Sequence, residues 1–189
     1  MHKKSILICG HTGILGSIIM ESLIKNPLFE ITGINSKSLD LTKQSKVNHF
    51  CKKKRYDVLI FLVGLAHFKG ARKDLNRFMQ INYKTLYNLL NGFIKFNHLP
   101  KKIIFTSTIS VYGDNYLNSY YNESSEIKPQ SPYAITKLKA ETLLMNNHSK
   151  ITWILRLCPI YSKRFKLNIN RRTKLGPFFY RVGDGNKKL

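Results

Sequence analysis

The sequence predicts an α/β protein whose core is a doubly wound parallel sheet, with helices on both faces. Two observations lead to this prediction. Apolar runs of strand length alternate with segments of helical period, beginning with SILIC at 5–9, ILGSIIMESLIK at 14–25 and FEITGI at 29–34. The strand-like runs are mostly continuously apolar, which is typical of strands that are buried on both faces.

The later elements continue this alternation. A polar stretch with a short helix leads to the strand DVLIFLV at 57–63, and a long helix is expected from about residue 71 to residue 97. The strand KIIFTS at 102–107 precedes a loop rich in Tyr, Asn and Ser. The next helix has Ser131 as its predicted N-cap and Pro132 in its first turn, because a hydroxyl can accept from the free amides and proline needs no donor there.

The predicted sheet domain ends soon after a strand at 151–157. The following segment, 162–189, is basic and lacks a clear period, and Gly183 and Gly185 predict a turn between extended segments. We therefore expect two parts, a sheet domain at 1–161 and, at 162–189, the incomplete start of a second structural unit.

Composition bounds the class of protein. The 189 residues carry a formal net charge of +22, and 43% of them are hydrophobic, which suits a globular chain with a full core. The basic residues are spread along the chain without a nucleic-acid reader motif, so a diffusely basic surface is preferred over a nucleic-acid partner.

The apolar run near the N-terminus is too short for a signal sequence or a membrane span, which predicts a cytoplasmic chain without a membrane partner. The widely spaced Cys9, Cys51 and Cys158 indicate reduced thiols, not a disulfide framework or a metal site.

The first turn between strand and helix reads GHTGILG. Its glycines permit a tight turn, close approach of the main chain to a pyrophosphate and close packing of the helix on the strand. The helix N-terminus adds free N–H groups and the positive end of the helix dipole. Because the turn follows an apolar strand and precedes an amphipathic helix, dinucleotide binding is preferred over a purely structural turn. The residues predicted to bind the cofactor here are Gly10, Thr12, Gly13, Ile14, Leu15 and Gly16.

The end of the second strand reads GINSKS, where an NAD site usually carries an acidic residue. Asn35 and Lys37 are the candidate cofactor contacts instead. Lys37 either attracts the extra phosphate of NADP or is one of many exposed lysines. Asp40 is a candidate for the adenine or ribose end of the site, with Leu41 beside it, or else it is the N-cap of the following helix.

A second set of candidate residues lies further along the chain. Ser107 and Thr108 end the fourth strand, at the edge where an open parallel sheet binds ligands. Tyr133 and Lys137 share a face of the helix that reaches the same edge. An ammonium beside a phenol would lower the pKa of Tyr133 toward neutrality, and the Thr108 hydroxyl could hold a substrate oxygen. These residues fit a proton relay; the alternative is an exposed tyrosine stacked on a lysine stem.

Three motifs occur together in the order GHTGILG, STISVYGD and PQSPYAITKLKAE. In order and spacing they resemble the extended short-chain dehydrogenase/reductase family, the NAD-dependent epimerase/dehydratases that act on nucleotide sugars. The chain looks most like the nucleotide-sugar 4-epimerase branch, with some similarity to dTDP-4-dehydrorhamnose reductases in LDLT. The resemblance is strong through Tyr161, and FYRVGDGNKKL resembles an early part of the family's substrate domain. It implies a Rossmann-type fold at 1–161 followed by the beginning of a substrate-binding region.

The resemblance implies individual roles. Tyr133 would be the acid/base, Lys137 its pKa partner and a ribose ligand, and Thr108 the hydroxyl that orients the sugar oxygen. The stretch LVGLAH at 62–67 resembles the loop that runs along the cofactor, and Asn82 resembles an asparagine that supports the active-site main chain. The cofactor contacts implied in this part of the chain are Gly64, Leu65, Ala66, Asn82 and Ser107.

Four further residues receive no firm role. The family would usually show Arg-Pro near RLC, so the cofactor-side roles of Cys158 and Pro159 stay open. His11 and His67 are expected to be incidental, because the implied chemistry already has its proton carrier.

The implied reaction is hydride transfer between a nicotinamide and a sugar carbon, with Tyr133 moving the hydroxyl proton. The cofactor would be NAD or NADP, with NAD preferred, the substrate a nucleotide sugar and the assembly a homodimer. Dehydratase ranks below epimerase or reductase, because Ile109 and Ser110 stand where a dehydratase usually carries Asp and Glu. Since family members continue beyond this length, the alternative is a truncated, non-catalytic dinucleotide-binding module of the same ancestry.

Overall fold

Strands and helices alternate through this computed structural model, which describes residues 3–66, 74–113, 120–161, 174–175 and 177–179. In chain order, the larger elements are β1 (Lys4–Cys9), α1 (Ile14–Leu23), β2 (Phe29–Ile34), α2 (Gln44–Lys53), β3 (Val58–Phe61), α3 (Leu75–Phe78), α4 (Thr85–Lys95), β4 (Lys102–Thr108), α5 (Pro132–His148) and β5 (Thr152–Leu157). A π-helical segment, Met79–Lys84, joins α3 to α4. Short 3-10 turns lie at Ile109–Tyr112 and Ser149–Ile151.

The five strands form one sheet in the order β2-β1-β3-β4-β5. β1 pairs in parallel with both β2 and β3, and β3 pairs in parallel with β4. This architecture confirms the predicted doubly wound parallel sheet. Because parallel strands run the same way, the segments that follow them meet at one edge of the sheet, where such sheets bind ligands.

Side chains of the inner strands β1, β3 and β4 alternate between two apolar layers. Leu7 and Phe105 lie in the layer that α2, α4 and α5 cover, whereas Ile8 and Ile60 lie in the layer that α1 covers. Each fully buried side chain of this kind stabilises the fold by roughly 1.5–3 kcal/mol. The continuous apolar runs in the sequence therefore reflect strands that are buried on both faces.

The predicted strand at 57–63 is shorter in the structure and ends at Phe61. Beyond it, both main-chain polar groups of Leu65 bond to the side chain of Asn82 instead of a strand. This side chain satisfies the main chain without a sheet partner, so the strand can end early.

The predicted long helix begins at Leu75, behind Asp74 as N-cap, whose carboxylate accepts from the amide of Arg77 at 3.0 Å. The π-helical segment then interrupts the α-helical pattern. Such interruptions occur frequently at functional sites. The start of α5 agrees with the prediction, since the Ser131 hydroxyl accepts from the amide of Ala134 at 3.1 Å and a proline opens the helix.

The chain divides into two units, Met1–Arg156 and Leu157–Leu189. In the second unit, β6 (Lys174–Leu175) pairs antiparallel with β7 (Phe178–Phe179). The turn predicted at Gly183 and Gly185 lies outside the described residues. Among the helices that the structure describes, none is long and apolar enough to cross a membrane.

Candidate active site

The turn between β1 and α1 is shaped by the main chain alone. Gly10 has a φ of 87°, which favours glycine, and its amide donates to the carbonyl of Ile34 at 2.8 Å. The amide of Gly13 donates to the Gly10 carbonyl at 3.0 Å. A Cβ on Gly16 would collide with the Gly10 carbonyl and would lie 2.8 Å from the Cα of His11. Only glycine therefore lets α1 pack this closely on the turn.

The N-terminus of α1 fits a phosphate. Gly13 is its N-cap in extended conformation, and no side chain from the described part of the protein caps it. The first-turn amides and the helix dipole are therefore available to an anion. Thr12 and Ile14 are exposed beside these first-turn amides, and Leu15 is half-buried. The residues present thus suit the pyrophosphate of a dinucleotide.

After β2 the chain makes a tight turn. The side-chain oxygen of Asn35 accepts from the amides of Lys37 at 2.9 Å and Ser38 at 3.0 Å, so Asn35 holds the turn and Lys37 extends its side chain into solvent. The ring of His11 lies against Gly33, where a Cβ would come within 2.6 Å of it. His11 therefore packs against β2 at the base of the turn.

The structure changes the interpretation of Asp40. The N-cap of α2 is Lys43, so the alternative of Asp40 as N-cap is wrong. The Asp40 carboxylate accepts from the hydroxyl of Thr42 at 2.6 Å and from its amide at 2.9 Å, and these bonds lower the pKa of Asp40. Leu41 points into the core, while its carbonyl accepts from Asn88 at 2.9 Å. The Leu41 side chain is thus committed to the core, and its selection as a cofactor contact stays a prediction that only its main chain could fulfil.

The loop after β3 lies beside α5. The amide of Leu65 donates to Oδ1 of Asn82 at 2.6 Å, and Nδ2 of Asn82 donates to the Leu65 carbonyl at 3.2 Å. A Cβ on Gly64 would lie 3.2 Å from Nζ of Lys137. Gly64 and Ala66 are exposed. The structure therefore brings the predicted cofactor loop, Asn82 and Lys137 together.

The Thr108 hydroxyl and the Tyr133 phenol lie near each other beyond the end of β4, since the Thr108 side chain influences the pKa of the phenol. The Thr108 hydroxyl bonds to the hydroxyl of Ser110 at 3.2 Å. Burial raises the pKa of Tyr133, and the Thr108 side chain opposes that shift. The expected lowering toward neutrality is therefore wrong for this structure, because burial outweighs the stabilisation of the phenolate. Ser107, next to them, is buried, and its hydroxyl has no partner among the described residues.

Lys137 is 2% exposed, and its ammonium donates to the main-chain carbonyls of Thr106 at 2.8 Å and Val63 at 3.3 Å. Burial lowers the pKa of Lys137 to about 8, and the carboxylate of Glu141 opposes that shift. The side chain is thus mostly protonated at pH 7. Since its bonds go to carbonyls of β4 and of the loop after β3, the ammonium ties the two neighbouring strand ends together.

A buried ion pair behind Lys137 was not predicted from the sequence. The guanidinium of Arg156 donates to both carboxylate oxygens of Glu141, at 2.7 Å through Nη2, and to the phenol oxygen of Tyr112 at 2.8 Å. Glu141 is 3% exposed. The available signal was spacing, since Tyr133, Lys137 and Glu141 recur every four residues on one helix face.

Cys158 is exposed and belongs, with Pro159, to the second unit of the chain. His67 lies outside the described residues.

The parallel sheet, its glycine turn and the Tyr-x-x-x-Lys helix are those of a Rossmann-type protein of the extended short-chain dehydrogenase/reductase class. The model of the NAD dependent epimerase/dehydratase family matches residues 6–186. The chain belongs to this family, which confirms the family predicted from the three motifs.

Known proteins similar to this chain include several kinds of nucleotide-sugar enzyme. It is 25% identical over 187 residues to a Bacillus subtilis protein named "Uncharacterized UDP-glucose epimerase YtcB", a match that covers 87% of this chain and 54% of that protein. It is 30% identical over 105 residues to the dTDP-D-glucose 4,6-dehydratase of Dictyostelium discoideum, covering 50% of this chain and 24% of that protein.

A solved structure shows the same fold. The dTDP-4-dehydrorhamnose reductase from Bacillus anthracis, in complex with NADP, matches with a TM-score of 0.71 and 22% identity over 82% of this chain and 54% of that one. The chain thus spans about half the length of this reductase and of the epimerase, and a quarter of the dehydratase.

Proposed function

We propose that this chain forms the NAD(P)-binding and proton-transferring part of a nucleotide-sugar epimerase or reductase. The observation that carries the proposal is the proximity of the Thr108 hydroxyl to the Tyr133 phenol, on the helix that also carries buried Lys137, at the sheet edge that holds the glycine turn. A bound nicotinamide would supply hydride transfer to or from a sugar carbon. The names of the relatives favour nucleoside-diphosphate sugars as the substrate class.

In this proposal Tyr133 gives and takes the proton of the sugar hydroxyl. Its phenol lies near Thr108, whose hydroxyl can donate and accept at once and so can hold the same substrate oxygen. Lys137, one helical turn along α5, is positively charged at pH 7, and a positive charge brought beside the phenol would favour the phenolate. The raised pKa of Tyr133 suits a group that starts protonated and donates.

The cofactor would lie along the sheet edge from α1 to α5. The glycine turn and the α1 N-terminus would hold the pyrophosphate, Asn35, Lys37 and Asp40 the adenosine half, and Gly64, Leu65, Ala66, Ser107 and Lys137 the nicotinamide half. NAD is preferred on the family resemblance. The exposed ammonium of Lys37, at the end of β2, would also accept the extra phosphate of NADP.

A binding module without turnover is the second candidate. It is favoured by the bonds of the Lys137 ammonium to the Thr106 and Val63 carbonyls, which commit the ammonium to the main chain. In that case the pair would hold the ribose and shape the strand ends without moving a proton.

The proposed assembly is a homodimer through the long helix and α5. Its support is the presence of large apolar side chains that are exposed on these helices, namely Tyr87, Ile94 and Met145. Light scattering would report the mass directly, and a monomer at all concentrations would contradict the dimer.

Two incubations of the chain test the function: one with NAD and UDP-glucose or dTDP-glucose for an epimerase, and one with NADPH and a nucleoside-diphosphate keto-sugar for a reductase. An epimerase interconverts the sugars without net change in nicotinamide absorbance, whereas a reductase consumes NADPH with a keto-sugar. Turnover in the wild type that is lost in Tyr133→Phe supports the proposal. Dinucleotide binding without turnover favours the binding module, and failure of both contradicts both candidates.

A further inference from the structure

Asn82 is completely buried in the π-helical segment, and both ends of its amide are in use. Oδ1 accepts from the amide of Leu65 at 2.6 Å, while Nδ2 donates to the carbonyl of Leu65 at 3.2 Å and to Oγ1 of Thr136 at 3.1 Å. The side chain thus takes the place of a neighbouring strand for Leu65. The second N–H of the Asn82 amide donates to Thr136 in α5.

Thr136 stands between Tyr133 and Lys137 in α5 and is completely buried. Besides accepting from Asn82, its hydroxyl lies 2.8 Å from the carbonyl of Pro132 and 3.0 Å from that of Tyr133, to which it can donate. One hydroxyl therefore contacts the first turn of α5 and, through Asn82, the loop after β3. Because Asn82 and Thr136 are both completely buried, solvent does not reach them to replace a lost bond.

We propose that Thr136 is a positioning residue: through Asn82, its hydroxyl fixes the main chain of Leu65 relative to the first turn of α5. The inference rests on the proposed function, since it concerns the gap between the cofactor loop and Lys137. That gap is narrow, because a Cβ on Gly64 would lie only 3.2 Å from Nζ of Lys137. A small shift of the loop would therefore change the position of the ammonium relative to a ligand.

The helix offers two matched controls. Thr142 makes a similar bond to the carbonyl four residues before it, at 3.1 Å, but it is exposed. Thr142→Val therefore removes a back-bond without touching Asn82. Leu144 is completely buried in the core, so Leu144→Ala lowers stability without removing a polar contact of the site.

Hydrogen exchange of the Leu65 amide in the ligand-free chain, together with the Kd for NADH and NADPH, tests the inference. In Thr136→Val the Leu65 amide should exchange about tenfold faster and the Kd should rise by about tenfold, the size expected for one lost buried hydrogen bond. Thr136→Ser keeps the hydroxyl and should restore both values. Thr142→Val should change neither, and Leu144→Ala should lower the Tm while leaving the Kd unchanged.

Unchanged exchange and Kd in Thr136→Val would overturn the inference, as would a rise in Kd in Leu144→Ala equal to that in Thr136→Val. If the wild type binds neither dinucleotide, the proposed function fails, while Leu65 exchange still decides the positioning role. If Thr136→Val does not fold, NMR of the wild type decides. Slow exchange of the Asn82 side-chain amide protons is expected, and fast exchange would overturn the inference.

Discussion

The two ends of the candidate site are built in opposite ways. The glycine turn is shaped by missing atoms, since Gly10 adopts a positive φ and a Cβ on Gly16 would collide with the Gly10 carbonyl. The α5 end is shaped by buried polar side chains, chiefly Asn82 and Lys137, that bond to the main chain of other elements. The glycine turn should therefore lose stability and dinucleotide binding when atoms are added to it. The α5 end should lose them when hydrogen-bond donors or charges are removed.

Removing the charge of Arg156, which binds Glu141 of α5, should have the largest effect on the free energy of unfolding. In Arg156→Met the carboxylate of Glu141, which is 3% exposed, loses the guanidinium that binds it. We expect a loss of about 3–5 kcal/mol in the free energy of unfolding, measured by urea denaturation. The double variant Glu141→Leu with Arg156→Met should regain most of this loss. A single variant as stable as the wild type would contradict the importance of the pair.

The charge of Lys137 should appear in the pH dependence of stability. Burial holds its pKa at about 8 in the folded chain, against 10.5 ordinarily, so between these values the unfolded chain binds more protons and stability rises with pH. The difference in unfolding free energy, wild type minus Lys137→Met, should thus rise by roughly 3 kcal/mol from pH 8 to pH 10.5. Other groups titrate in both proteins and cancel. A flat difference would show that the folded chain does not shift this pKa.

Adding one methyl group should damage the glycine end. In Gly16→Ala the new Cβ meets the Gly10 carbonyl and the His11 Cα, so the turn must shift. We expect a loss of about 1–3 kcal/mol in unfolding free energy, together with weaker dinucleotide binding. Ser17→Ala, which removes a local bond to the Ile14 carbonyl in the same helix, is the control and should change stability by less than about 0.5 kcal/mol. Equal stability of Gly16→Ala and wild type would contradict the close packing.

Tyr133→Phe should have the smallest effect on stability. It removes one hydroxyl, which lies near Thr108, at a half-buried position. The expected loss is about 1 kcal/mol, while dinucleotide binding stays and turnover disappears. Calorimetry, a nicotinamide titration and the turnover assay on the same preparation check these three expectations. Weaker dinucleotide binding in this variant would mean that the phenol holds the cofactor.

The two ends also differ in how well the sequence predicts them. Strands, the glycine turn and the capped start of α5 are set by local period, by glycine and by the Ser131 cap, so they could be predicted. The bonds of Lys137 to Thr106 and Val63 join residues far apart in sequence, and no local pattern specifies them.

The misjudged pKa of Tyr133 has the same origin. Residue types and spacing predicted a lysine beside the phenol, but the shift depends on burial at the finished sheet edge. The π-helical interruption that contains Asn82 was likewise hidden, because its apolar residues keep an ordinary helical spacing in the sequence.

Titration of the purified chain with NADH and NADPH, followed by nicotinamide fluorescence, tests the central claim most directly. Wild type, Gly16→Ala and Lys137→Met represent the intact site and its two ends. We expect saturable binding of at least one dinucleotide to the wild type, weakened about tenfold or more in each variant, since each loses more than about 1.4 kcal/mol of binding. Folded wild-type protein that binds neither dinucleotide, or binding that both variants retain unchanged, would contradict this claim.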